Sequence, residues 1–105
     1  MYMKTMQQDR SPTIHSVNHM AKPVHFFCEA PKARAVYLVG DFNDWDPSAD
    51  AMTRQVDGWW FVEVDLTRGH HLYRFMIDGG PKLDPRASGV ALDEKGEQAS
   101  VTAVG

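Results

Sequence analysis

Glu63 and Asp65 stand two residues apart in an apolar run, which would put their carboxylates about 7 Å apart on one face of a strand. Paired carboxylates in glycoside hydrolysis use a similar separation. A general acid also needs a pocket that raises its pKa, and a bare strand offers none, so the pair reads as a solvated sheet face. His70-His71 opens another strand-like run, so the two rings point to opposite faces and do not chelate one ion. Asp41-x-Asn43 begins like a calcium loop. It has Trp45 at the fifth position, Asp46 where glycine is required and Met52 where glutamate is required, so the loop fails. Cys28, the lone cysteine, lies in an apolar alternating stretch and is expected in the core, with neither a disulfide nor a nucleophile's surroundings. No metal, cofactor or catalytic set is expected.

Trp45 is different. It stands between Asp44 and Asp46 in a polar stretch, a poor place to hide a large ring. An indole held on a rigid loop offers a flat apolar plate with one N–H at its rim. A hexose has a C–H face that can stack on such a plate, with its hydroxyls left for carboxylates and amides. The spacing alone equally allows the ring to fold back over the edge of the core.

The elements that would hold this loop follow from patterning. Val24, Phe26 and Cys28 alternate with His25, Phe27 and Glu29, the period of a half-buried strand. Ala35 to Gly40 is apolar on both faces, as a strand central in its sheet is. Asp41 to Asp50 is rich in turn residues, and Asp57-Gly58 is a hairpin signal. In Trp59–Leu66, alternation sends Trp60, Val62, Val64 and Leu66 inward and Trp59, Phe61, Glu63 and Asp65 outward. His71 to Ile77 is the next expected strand, and Asp78-Gly79-Gly80-Pro81 a tight turn. Asp84 to Gly96 reads as loop. Ala99 to Val104 closes the set, with Val101 and Val104 as core candidates. Short strands at such intervals, without an amphipathic helix, predict an all-β, immunoglobulin-like antiparallel β-sandwich. It should span 22–105, behind a polar leader over 1–21 that is broken at Ser11-Pro12.

The 105 residues suit one domain, and a formal charge of -3 without a basic run argues against a nucleic-acid partner. No stretch approaches the ~18 apolar residues of a membrane span, and no secretory signal opens the chain. A soluble, cytoplasmic protein is expected.

Val36-Tyr37-Leu38-Val39-Gly40-Asp41-Phe42-Asn43-Asp44-Trp45 resembles the signature of the glycogen-binding and isoamylase N-terminal family of carbohydrate-binding modules, of early-set type. The rest of that family's pattern follows in order: Trp60 after Gly58, then Gly69-x-x-x-Tyr73-x-Phe75, Asp78-Gly79 and Asp84-Pro85. The resemblance implies a sandwich and an α-1,4-glucan or maltooligosaccharide ligand stacked on Trp45. Arg74 stands where the family commonly has a lysine that hydrogen-bonds sugar. Pro81 stands at the family's second platform tryptophan and supplies much less stacking area. Glu97 to Ser100 match the family's sugar-touching stretch poorly. Asn43 is taken as a further hydroxyl partner, and Trp59 as an aromatic that compensates if its face meets the same groove.

With one plate of two lost, binding is expected near the ~mM range. The leading expectation is thus a non-catalytic α-glucan-binding module, alone or beside a glucan-processing enzyme. Its rival is a protein-interaction or regulatory module that kept the fold and lost the sugar, and a homodimer is open under either.

Overall fold

The computed structural model describes residues 21–105. The expected leader therefore lies outside the described residues except for Ala21. Two antiparallel sheets form the fold. In the smaller, β1 (Lys22–Glu29) pairs with β5 (Trp59–Leu66) from Lys22↔Leu66 to Glu29↔Trp59, and β4 (Thr53–Arg54) flanks β5 on its other side. The larger sheet runs in the order β3 (Asp50–Ala51), β2 (Val36–Gly40), β6 (Gly69–Ile77), β9 (Gln98–Val104), β8 (Gly89–Leu92). β7 (Gly80–Lys82) also pairs with β6. Among the described residues there is no α-helix.

Alternation decides the core. Phe26 and Cys28 of β1, Val36 and Leu38 of β2, Trp60 and Leu66 of β5, and Tyr73 and Phe75 of β6 are buried together between the sheets. Their strand neighbours His25, Phe27 and Glu29 are exposed, and Trp59 and Phe61 are half-buried on the outer face. Buried polar atoms are answered. Trp60 Nε1 donates to the Ala30 carbonyl at 2.9 Å, and the Tyr73 hydroxyl donates to the Asp84 carboxylate at 2.6 Å. Burial first, and that carboxylate second, hold the Tyr73 phenol far above its ordinary pKa.

The turns use the chemistry their residues offer. Asp57 and Gly58, at φ 62° and 78°, carry the chain from β4 into β5. Asp78 and Gly79, at φ 49° and 85°, form a two-residue hairpin between β6 and β7. Asp78 Oδ1 also accepts the Ala35 and Arg34 amides, at 3.0 and 2.8 Å, and these N–H groups pull its carboxyl below the usual range.

Three expectations change. The stretch Asp84–Gly96 is not all loop, because Gly89–Leu92 is the edge strand β8. It escapes a patterning search because the small Gly89 and Ala91 face inward while the apolar Val90 and Leu92 stay 55% and 64% exposed, so its alternation carries no polar-out contrast. Pro81 lies within β7, where an edge strand tolerates a residue without an N–H. In β9, Val101 is only half-buried, whereas Ala99 and Ser100 are fully buried.

Candidate carbohydrate-binding site

Gly40 ends β2 and starts the loop that carries Trp45. Its carbonyl accepts the Asn43 amide at 3.1 Å and the Trp45 amide at 2.9 Å, a tight double turn. The Asn43 side chain closes that turn from within. Its Oδ1 accepts the Gly40 N–H at 3.0 Å, and its Nδ2 donates to the Leu38 carbonyl at 3.0 Å and to Asp50 Oδ2 at 2.7 Å. Phe42 is half-buried and packs against the core, its ring 6.1 Å from that of Phe26. Asp41 ties the loop to β6, accepting the Leu72 amide on Oδ2 at 3.1 Å while the Leu72 carbonyl accepts the Asp41 amide at 3.0 Å. His71 Nδ1 adds a contact to Asp41 Oδ1 at 3.3 Å, and its Nε2 donates to the Thr67 carbonyl at 2.9 Å.

Two successive residues pay for the geometry. Asp44 and Trp45 both sit in the left-handed region, at φ 56° and 57°, where residues with a Cβ are disfavoured. Such conformations persist when the surroundings over-determine them, here through the Asn43 staple and the Asp41 tie. The result is a half-exposed indole over the outer face of the larger sheet. Arg74 stands on that face as the register partner of Val39. One step past the Tyr73↔Ser100 pair, Ala99 follows on its other side. Val39 and Ala99 are both buried, although neither belongs to the core between the sheets. This face therefore has a small packed layer of its own.

The Arg74 guanidinium lies over the Trp45 ring, 4.5 Å from its centroid. Its Nε donates to the Gln98 carbonyl at 2.8 Å, and its Nη2 donates to the Asp93 carboxylate, with Glu97 Oε1 farther off at 3.9 Å. Among the described residues Nη1 has no hydrogen-bond partner. The β8–β9 turn forms the opposite wall. Trp45, Arg74, Asp41, Asp44 and turn residues Asp93 to Lys95 and Glu97 line a groove of about 390 Å³. The Glu97 amide, then the Arg74 hydrogen bond, draw the Asp93 carboxyl below its ordinary pKa.

Of the five residues expected from sequence, the structure brings three together. Trp45 and Arg74 line the groove, and Asn43 lies beneath it with its amide engaged inside the loop. Trp59 is on the other sheet, under the Arg86 guanidinium at 4.9 Å, beside Phe27. Pro81 is exposed on β7 and borders a separate depression with Pro31 and Ile77. Neither shares the Trp45 groove, so neither makes up there for a second plate. Sequence reasoning missed Asp93, Glu94 and Lys95. The available signal was Asp93-Glu94-Lys95-Gly96, an aspartate-to-glycine turn between two strands.

The structure is thus a two-sheet sandwich with a half-exposed tryptophan set in a shallow polar groove. Residues 23–105 match the family described as the glycogen recognition site of AMP-activated protein kinase, and the chain belongs to that family. It is similar to the 1,4-alpha-glucan branching enzyme GlgB of Novosphingobium aromaticivorans, 40% identical over 97 residues, covering 85% of this chain and 13% of that protein. It is also similar to GlgB of Lactobacillus acidophilus, 44% identical over 63 residues, covering 55% of this chain and 10% of that protein. The chain thus spans only about an eighth or less of these relatives. The match is to a small glycogen-recognition module, not to a catalytic domain. No helix among the described residues is long and apolar enough to cross a membrane.

Proposed function

We propose that this chain binds α-1,4-glucan of the glycogen or starch type, with Trp45 as the stacking plate and Arg74 Nη1 as a hydroxyl donor. The half-exposed indole on a stapled, left-handed loop carries this reading, in a chain of the glycogen-recognition family. Lys95, across the groove, is a second donor to hydroxyls. A single plate covers little of an oligosaccharide, so the affinity belongs near the ~mM range, about -4 kcal/mol. Titrating maltoheptaose against tryptophan fluorescence tests it. A saturating change in the wild type that vanishes in Trp45→Ala supports the plate. Equal responses of the two proteins refute it.

The rim makes a second expectation. Among the residues lining the groove, the five carboxylates of Asp41, Asp44, Asp93, Glu94 and Glu97 oppose the two cations Arg74 and Lys95, with His71 against Asp41. Phosphorylated maltooligosaccharides should bind more weakly than neutral ones, and salt should narrow the gap by screening. Parallel titrations at two ionic strengths read this directly; tighter binding of the phosphorylated sugar would contradict it.

The branching-enzyme relatives support placing the module beside a catalytic domain that processes glucan, in the same chain or as a partner. A cytoplasmic setting goes with that reading. One observation favours the rival protein-interaction reading. On the outer face of the small sheet, Phe27 is 45% exposed and packs 5.2 Å from Phe61, with Trp59 and Arg86 beside it. Aromatics with arginine are common anchors of protein interfaces. Co-purification of a protein with the wild type but not with Phe27→Ser, together with no fluorescence response to maltoheptaose, would decide for that reading.

A further inference from the structure

The β8–β9 turn does more than wall the groove. Asp93 builds the turn it sits in: its Oδ1 accepts the Lys95 and Glu97 amides, each at 2.9 Å, and its own amide donates to the Glu97 carbonyl at 2.8 Å. The Gly96 amide closes back on the Asp93 carbonyl at 3.0 Å. With Oδ1 committed to the turn, Oδ2 is aimed, and its target is Arg74 Nη2. Both side chains of this pair are nearly covered, at 12% and 9% exposed.

Arginine is a long side chain with many rotamers, yet here it is pinned at two points. Nε is held by the Gln98 carbonyl and Nη2 by Asp93. Two anchors in the guanidinium plane fix that plane, and Trp45 is the surface it lies over. The ring itself rises from two consecutive left-handed residues whose backbone the Asn43 staple and the Asp41 tie hold, and the Arg74 guanidinium is the group that lies against the ring.

We propose that Asp93 is a positioning residue of the glucan site, acting through Arg74. It locks the guanidinium as a backing plate for Trp45, so that the indole is presented in one orientation to the sugar and Nη1 points at a fixed place. This rests on the glucan reading above, and assigns to the β8–β9 turn the task of pre-organising that site.

Asp93→Asn separates the two roles of the carboxylate, because the amide oxygen still accepts the turn amides while the charge that holds Arg74 is gone. Arg74→Met keeps an unbranched apolar stem without the guanidinium, and Asp93→Asn/Arg74→Met completes a double-mutant cycle. Two readouts are taken on each protein. One is the near-UV circular dichroism band of Trp45, isolated by subtracting the Trp45→Phe spectrum. The other is maltoheptaose affinity.

Both single variants should lose most of the Trp45 band and bind on the order of fivefold more weakly, and the double variant should match Arg74→Met. A full Trp45 band in Asp93→Asn overturns the proposal whether or not sugar binds. Tighter binding by Asp93→Asn also overturns it, because Arg74 would then be a plug that sugar must displace. Additive losses in the cycle overturn it by showing that Asp93 acts independently of Arg74. A wild-type protein that shows the band but no sugar response refutes the glucan reading, and leaves Asp93 with a role in ring orientation alone.

Discussion

Gly40→Ala is expected to lower the melting temperature by on the order of 15 °C, followed by circular dichroism. The position needs glycine for space rather than for a left-handed backbone. A Cβ there would fall 2.6 Å from the Leu72 carbonyl oxygen and inside contact distance of the Phe42 ring. The ring is wedged against the core beside Phe26, and the carbonyl is bonded to the Asp41 amide, so neither neighbour yields cheaply. Overpacking of this kind costs about 3 kcal/mol, a large share of the roughly 5–10 kcal/mol that holds a domain this size together. Gly89→Ala is the matched control, since a Cβ there meets nothing within 4 Å. It should melt with the wild type. A Gly40→Ala protein that also melts with the wild type would show that Phe42 and the Leu72 strand can part, contrary to the packing described.

What could be read from the sequence divides along a physical line. β1 and β5 were legible because one face lies in the core and burial writes a period of two into the residues, and β2 because it is central, buried on both faces and apolar throughout. β8 was not, since an edge strand with Val90 and Leu92 exposed buries too little to leave that period. Trp45 was legible as an anomaly, a large ring among aspartates. The direction of a polar side chain is another matter. Asn43 suits a turn and can cap a nearby backbone amide, as it does at Gly40, but its bond to Asp50 is not written in the local pattern. Arg74 looks like a free cation until Asp93, nineteen residues away, is folded against it. Strand alternation also cannot say which of two sheets an outward tryptophan belongs to, which is why Trp59 stood beside Trp45 as a candidate. Local pattern reports burial; it does not report pairings made by the fold.

Asn43→Ala is expected to destabilise the domain by roughly 2–4 kcal/mol, because it removes three hydrogen bonds and strands partly buried groups of the turn. The Gly40 amide and the Leu38 carbonyl each lose the Asn43 bond, and Asp50 loses its only side-chain donor among the described residues. Asn43→Asp sharpens the test. The new carboxylate has nearly the shape of the amide and still accepts the Gly40 N–H, but it faces the Asp50 carboxylate where Nδ2 stood 2.7 Å away.

Two like charges so close raise the folded-state pKa of the pair above the unfolded values. The folded protein then holds protons more tightly than the unfolded one, so stability falls as pH rises through that raised pKa and recovers below it. Chemical denaturation across pH 4 to 8 should therefore show Asn43→Asp approaching the wild type at the acid end and separating from it near neutrality. Asn43→Ala should run parallel to the wild type throughout. If Asn43 instead served mainly as a sugar contact, both variants would melt with the wild type and differ only in maltoheptaose affinity, and the staple would have no energetic role in holding Trp45 out to the groove.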